Sequence, residues 1–122
     1  MAAKRIAGTC FVKVDGEQLE LSGSLAFPLN DVQRTTLTSA AGAVVGYSEV
    51  AQVPYVSGTF FVKDDFPVET LKSSTSMTVT AECANGMVYT LSEAYLAGDS
   101  IEYSPQDGTV TLKWEGTRGE LA

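Results

Sequence analysis

The sequence predicts a mainly β protein: an antiparallel β-sandwich or barrel with one short flanking α-helix. Three observations carry that reading. Apolar and polar residues alternate with period two along several short stretches. Three Asp-Gly or Asn-Gly pairs, at residues 15–16, 85–86 and 107–108, stand where strands must reverse. Only residues 64–74 hold a good helix start. The 122 residues, 44% of them hydrophobic, suit one domain spanning 1–122 with one core.

Residues 1–6 read as an amino-terminal arm carrying Lys4 and Arg5, the only adjacent basic pair. The arm is either a solvated terminus or a segment that docks on a neighbour's acidic surface. From Gly8 to Val14 the chain alternates, with Cys10, Val12 and Val14 on one face and Thr9, Phe11 and Lys13 on the other. Asp15-Gly16 turns it, because both residues tolerate the positive φ of a type I′ turn. The return strand is expected from Glu17 to about Phe27. Leu19, Leu21, Leu25 and Phe27 share one of its faces, and Gln18, Glu20, Ser22 and Ser24 the other. Pro28 ends it, and Leu29 to Arg34 reads as a polar bridge.

Residues 35–54 stand apart. They contain one charge, Glu49, and the apolar Leu37, Val44, Val45, Tyr47, Val50 and Val53, yet no clean helical or strand period. An apolar, nearly uncharged connection of this length leans either on its own core or on a neighbouring copy. The other segments build a sandwich without it, which favours the neighbour. The stretch is therefore read as a loop or long hairpin that serves assembly, mobile in the monomer and ordered on docking. Leu37, Val44, Val45, Tyr47 and Val50 are its contact residues, with Lys4 and Arg5 of the arm second. Gly42 and Gly46 suit an element that changes conformation.

Tyr55 to Lys63 resumes as a strand with apolar residues on both faces, as expected of a central or covered strand. In residues 64–74, Asp65 is the expected cap, Pro67 the first-turn residue and Glu69 the acid at the positive helix end. Phe66, Val68 and Leu71 would hold this short helix onto a sheet. Ser76 to Ala84 is a strand with Met77, Val79, Ala81 and Cys83 on one face. After Asn85-Gly86, Met87 to Leu96 sets Met87, Tyr89, Leu91 and Tyr95 opposite Val88, Thr90, Ala94 and Leu96. Ser100 to Tyr103 is a further short strand. Thr109 to Glu115 is the last, with Val110, Leu112 and Trp114 inward; Arg118 to Ala122 reads as a polar tail. The count is six or seven strands.

Catalytic chemistry finds little footing. There is no histidine, so no Ser-His-Asp or Cys-His arrangement can exist. Asp64 and Asp65 read as a helix cap and a solvated acid. No phosphate-binding glycine loop or calcium loop is present. Tyr89, Tyr95 and Trp114 read as core or interface. Cys10 and Cys83 fit no zinc spacing and read as reduced thiols; they could pair only if their strands are neighbours. No enzyme activity, cofactor or metal is expected. Lys4 and Arg5 precede no apolar stretch of signal-peptide type, and no run approaches the roughly 20 apolar residues of a membrane helix, so no membrane binding is expected. A formal charge of −7 argues against a surface that grips nucleic acid, though not against one that lets it pass.

Three blocks resemble a known family. RIAGTCFVKVDGEQLELSG (residues 5–23), PYVSGTFFVKDDFP (54–67) and ANGMVYTLSEAYLAGD (84–99) are similar, in order and spacing, to the tail tube proteins of Mu-like contractile-tailed bacteriophages. The resemblance spans nearly the whole chain. It implies a tail-tube fold shared with the needle of type VI secretion, in which six copies form a ring around an inner β-barrel. Stacked rings then make the channel for genome delivery inside a contractile sheath. The partners it implies are further copies of the chain, the tail sheath protein, the tape measure protein, and the baseplate and tail terminator proteins, with DNA only in transit. The implied location is the virion tail tube, assembled in the host bacterial cytoplasm. Glu20, Glu82 and Glu93, on strands, become candidates to face the lumen. The alternative is a small β-barrel module that binds an apolar ligand.

Overall fold

Eleven strands and one helix follow one another in the computed structural model, which describes residues 8–121. They are β1 (Phe11–Val14), β2 (Glu17–Leu19), β3 (Leu21–Ala26), β4 (Val32–Thr38), β5 (Val44–Ala51), β6 (Tyr55–Phe61), α1 (Val68–Ser73), β7 (Met77–Glu82), β8 (Val88–Leu96), β9 (Tyr103–Ser104), β10 (Thr109–Glu115) and β11 (Arg118–Leu121). The main sheet has the order β2-β1-β7-β8-β10-β6-β3, with β11 beside β8 and β9 beside β10, while β4 and β5 form a separate two-stranded sheet. All strand pairs are antiparallel.

The expected sandwich or barrel is present, and two corners close it. The first is at Glu20. The two ends of the strand order, β2 and β3, are separated in sequence by this residue alone. One run of chain therefore pairs β1 with its first half and β6 with its second, and the Glu20 carbonyl accepts the Phe61 N–H at 2.9 Å. The second corner is at Glu93. Residues 88–92 of β8 pair with β7 and β11, whereas Tyr95 and Leu96 pair with Glu115 and Trp114 of β10. Between these, Met77 faces Ala94 and Val79 faces Leu91, so β8 carries one extra residue. Such a bulge bends a strand and re-aims its side chains. Glu93 takes the strain, with φ at 53°.

The alternating residues meet inside. Val12 and Val14, Val56 and Phe60, Met77, Val79 and Ala81, Tyr89, Leu91 and Ala94, and Val110, Leu112 and Trp114 are all buried. Trp114 is fully enclosed and meets Phe60 edge-on, with centroids 5.5 Å apart and planes at 74°. Leu71 of α1 closes the core on one side, with Phe66 packed against it.

The structure departs from the sequence reading at several places, among them the strand expected at Ser100 to Tyr103, which is only the two-residue β9, Tyr103–Ser104. The bulge reverses the end of β8, so Ala94 points in and Tyr95 out, 42% exposed. The expected tail, residues 118–121, is a strand paired with β8 from Arg118–Ser92 to Leu121–Tyr89. The supposed polar bridge already contains the start of β4, and of the two forms expected for residues 35–54, loop or long hairpin, the hairpin is present. Pro67 rather than Asp65 stands at the helix cap, and no side chain caps it. Lastly, the strand from Glu17 to Phe27 is two strands, split at Glu20.

Two predictions follow from the packing around Tyr89. Its ring stacks on Phe27 at 4.8 Å, and a Cβ at Gly119 would land on its hydroxyl and within 2.6 Å of the adjoining ring carbon. Gly119→Ala should destabilise the fold by about 1–3 kcal/mol in urea unfolding. Burial, then the nearby Asp31 carboxylate and Tyr55, push the Tyr89 phenol above its ordinary value of 10.0. The folded state thus holds this proton more tightly than the unfolded chain. The stability linked to it is complete below about pH 10 and is lost as pH rises through the higher folded value. Tyr89→Phe should flatten this alkaline loss when unfolding is followed from pH 9 to 11.

Candidate functional site

Residues 32–51 form a hairpin that the main sheet does not cover. β4 and β5 pair from Val32–Ala51 through Arg34–Glu49 and Thr36–Tyr47 to Leu37–Gly46. A bulge at Val45 then shifts the register to Thr38–Val44, and Gly46, at φ 153°, takes the conformation a side chain would resist. This extra residue explains why no single period runs through the sequence. The turn is closed locally: Ser39 N–H donates to the Ala43 carbonyl at 2.8 Å, and Gly42 N–H to the Ser39 carbonyl at 2.9 Å. Gly42 sits at φ 88° with open space where a Cβ would be.

Polar contacts hold the two strands together. Arg34 Nε donates to Glu49 Oε1 at 3.0 Å across the ladder, and the same guanidinium lies 5.6 Å from the centre of the Tyr47 ring. At the base, Gln33 Nε2 donates to Gln52 Oε1 at 2.6 Å, and Gln52 N–H to the Asp31 carbonyl at 2.9 Å. Eight residues of β5 at about 3.3 Å each make an element roughly 25 Å long.

The five apolar residues expected to make contacts all lie on this hairpin. Leu37 is 47% exposed, Val44 70%, Val45 67%, Tyr47 60% and Val50 65%. They do not form one stripe. Register places Leu37 and Val50 on one face and Tyr47 on the other, with Val44 and Val45 at the tip. Both faces therefore present apolar surface. An isolated two-stranded hairpin is marginal in water, and this one exposes apolar side chains on both faces. Lys4 and Arg5, in the 1–6 arm, lie outside the described residues.

The three glutamates expected on strands occupy different settings. Glu20 lies at the corner between β2 and β3 and pairs with Lys63 Nζ at 3.2 Å. Glu82 is on the outer face of β7, where Lys13 Nζ lies 3.7 Å away. Glu93, at the bulge, accepts a 2.9 Å hydrogen bond from Thr117 Oγ1. Register does not gather them into one cluster; the sequence offered no sign that two of them sit at corners.

A ligand-binding barrel would need an open interior. Here Trp114, Phe60, Met77 and Leu91 fill it. An apolar groove of about 300 Å³ lies outside the core, between α1 and the sheet, lined by Val68, Leu71, Ile101 and Tyr103 among others. Among the described residues no group of acids and cysteines is placed to hold a metal ion.

Comparison with known proteins follows the same line. Residues 3–120 match the family model described as phage tail tube protein. No curated protein matches the sequence. Three solved structures share the fold. One is the tube-terminating cap of an anti-feeding prophage, at 10% identity and a TM-score of 0.62, covering 100% of this chain and 94% of that one. The second is the sheath/tube terminator of the PVC extracellular contractile injection system in its extended state, at 9% identity and 0.61, covering 100% and 97%. The third comes from the sheath–tube complex of the same kind of system, at 10% identity and 0.60, covering 98% and 91%.

The hairpin's exposure sets a prediction for the isolated domain. Val44→Asp with Val45→Asp should leave monomer stability within about 0.5 kcal/mol of the parent, as surface substitutions do. A thermal or urea melt checks this; a large loss would place the tip in the protein's own core.

Proposed function

From a chain that belongs to the phage tail tube family, whose members are structural proteins rather than enzymes, we infer a subunit that forms six-membered rings. The rings stack into the channel through which a genome leaves inside a contractile sheath. The observation that carries this reading is the β4–β5 hairpin, a two-stranded sheet with apolar residues exposed on both faces and no cover from its own domain. Its partner is a second copy. A head-to-tail contact between copies does not close on itself and so builds a filament. Leu37, Val44, Val45, Tyr47 and Val50 make that contact, and the Lys4–Arg5 arm assists it at an acidic surface of the next subunit.

Charge supports the second half of the reading. Six copies at −7 each bring a ring to −42. Acids turned to the lumen repel a nucleic acid backbone, so DNA slides instead of sticking. Glu20, Glu82 and Glu93 are the strand-borne candidates; Lys63 and Lys13 offset the first two, which leaves Glu93 the strongest of the three. The sheath outside, a tape measure protein within the growing tube, and baseplate and terminator proteins at its ends are the partners this role requires. The complexes in which the similar folds were solved, a tube cap, a sheath/tube terminator and a sheath–tube assembly, agree with sheath and terminator among them. The protein then works in the virion and is assembled in the host bacterial cytoplasm.

Negative-stain microscopy tests the proposal. The purified protein at high concentration, alone or with baseplate initiators, is expected to give rings and tubes. Val44→Asp with Val45→Asp, and deletion of residues 41–47, are expected to leave folded subunits that no longer elongate. Compact monomers from the parent chain under both conditions would refute the assembly role.

A further inference from the structure

The two cysteines, 73 positions apart in sequence, are brought together by the β1–β7 ladder. Its register runs Val14–Val79, Lys13–Thr80, Val12–Ala81, Phe11–Glu82. One further step sets Cys10 directly opposite Cys83. The hydrogen bonds say which kind of position this is. Asp15 N–H donates to the Thr78 carbonyl at 2.9 Å, so residues 15 and 78 are a hydrogen-bonded pair. Bonded and non-bonded pairs alternate along an antiparallel ladder. Val14–Val79 is then non-bonded, Lys13–Thr80 bonded, Val12–Ala81 non-bonded, Phe11–Glu82 bonded and Cys10–Cys83 non-bonded. At non-bonded positions the Cα atoms approach to about 4.5 Å and the side chains point to the same side, within the range a disulfide spans.

We propose that Cys10 and Cys83 are a redox-sensitive staple: two free thiols that a small-molecule disulfide converts into a cross-strand bond. Both are free and only half-buried, so an oxidant reaches them. Cys10 Sγ donates to the Gly8 carbonyl at 3.7 Å and also interacts with the Cys83 thiol. Cys83 opens the Asn85-Gly86 turn, where its N–H donates to the Met87 carbonyl at 2.9 Å and its carbonyl accepts from Gly86 at 3.1 Å. The turn holds that partner in place while exchange proceeds. Burial first, and then the neighbouring Cys10, push the Cys83 thiol above its ordinary value of 9.0, so it stays protonated at neutral pH and exchange quickens as pH rises.

The chemistry balances with glutathione disulfide as oxidant. One cysteine attacks a glutathione sulfur, breaking that S–S bond, forming a mixed disulfide and releasing one glutathione thiol. The second cysteine displaces the remaining glutathione, forming the Cys10–Cys83 bond. Two electrons and two protons leave the protein and end on two glutathione thiols. The bond ties the point where the chain enters β1 to the β7–β8 turn and closes a long loop, which restricts the unfolded chain. The inference stands apart from ring formation, since it concerns the monomer.

The test is incubation of the full chain with glutathione disulfide, alkylation under denaturing conditions and intact mass measurement. Alkylatable thiols are expected to fall from two to none with no glutathione retained, and the melting temperature to rise by roughly 10 °C. Cys10→Ser and Cys83→Ser should each keep one glutathione and show no such rise. Two surviving thiols, two glutathione adducts on one chain, or disulfide-linked dimers would each overturn the proposal.

Discussion

The fold depends on the corner at Glu93. There β8 changes partners partway along, within three residues, and so joins the two halves of the sheet. The bulge alone would be a strained kink, since Glu93 sits at φ 53° without being glycine. The turn between β10 and β11 holds it. Thr117 N–H donates to the Ser92 carbonyl at 3.1 Å, and Thr117 Oγ1 to Glu93 Oε2 at 2.9 Å. Gly116 makes room for this, because a Cβ there would lie 2.6 Å from the Ser92 carbonyl oxygen. The same turn sends β11 back along β8 and fixes Pro54 through the Gly116 N–H at 3.2 Å, which sets the root of β6 just after the hairpin. One knot of backbone contacts thus positions the last strand, the core face of Ala94 and the base of the exposed element.

The body and the hairpin are held by different physics. The body buries Trp114, Phe60 and the β-branched residues around them, and such cores are close-packed and stiff. The hairpin is held by its ladder, the Arg34–Glu49 pair and the Gln33–Gln52 hydrogen bond. Exposed ion pairs contribute little, commonly below about 1 kcal/mol, and are screened by salt. The element is therefore shaped before it meets a partner but weakly fixed in its details. Apolar surface lies on both of its faces, and a bulge at Val45 interrupts its ladder near the tip.

The family to which the chain belongs joins the two halves. A tube built from many copies needs contacts that recur identically, and a monomer that satisfied all its apolar surface would have none to offer. The exposed valines of the hairpin would be a liability on a solitary protein.

Sequence alone determined the class and most of the elements. The three glycine turns and the alternation through Val12–Val14, Met77–Ala81 and Val110–Trp114 are local signals, set by φ preference and by the period of a pleated strand, and each stands in the structure as read. The apolar residues of the 35–54 stretch were legible too, because composition needs no register. What only the tertiary structure decided were the features that depend on partners distant in sequence. The corner at Glu20, the bulge that turns Ala94 in and Tyr95 out, and the pairing of residues 118–121 with β8 have no local signature, since a polar residue in a corner or an edge strand resembles one in a loop. The hairpin's regularity was hidden for a related reason: with both faces exposed and one residue in excess, nothing forces its side chains to alternate between core and water. That alternation is the signal from which strands are read, and it exists only where a core imposes it.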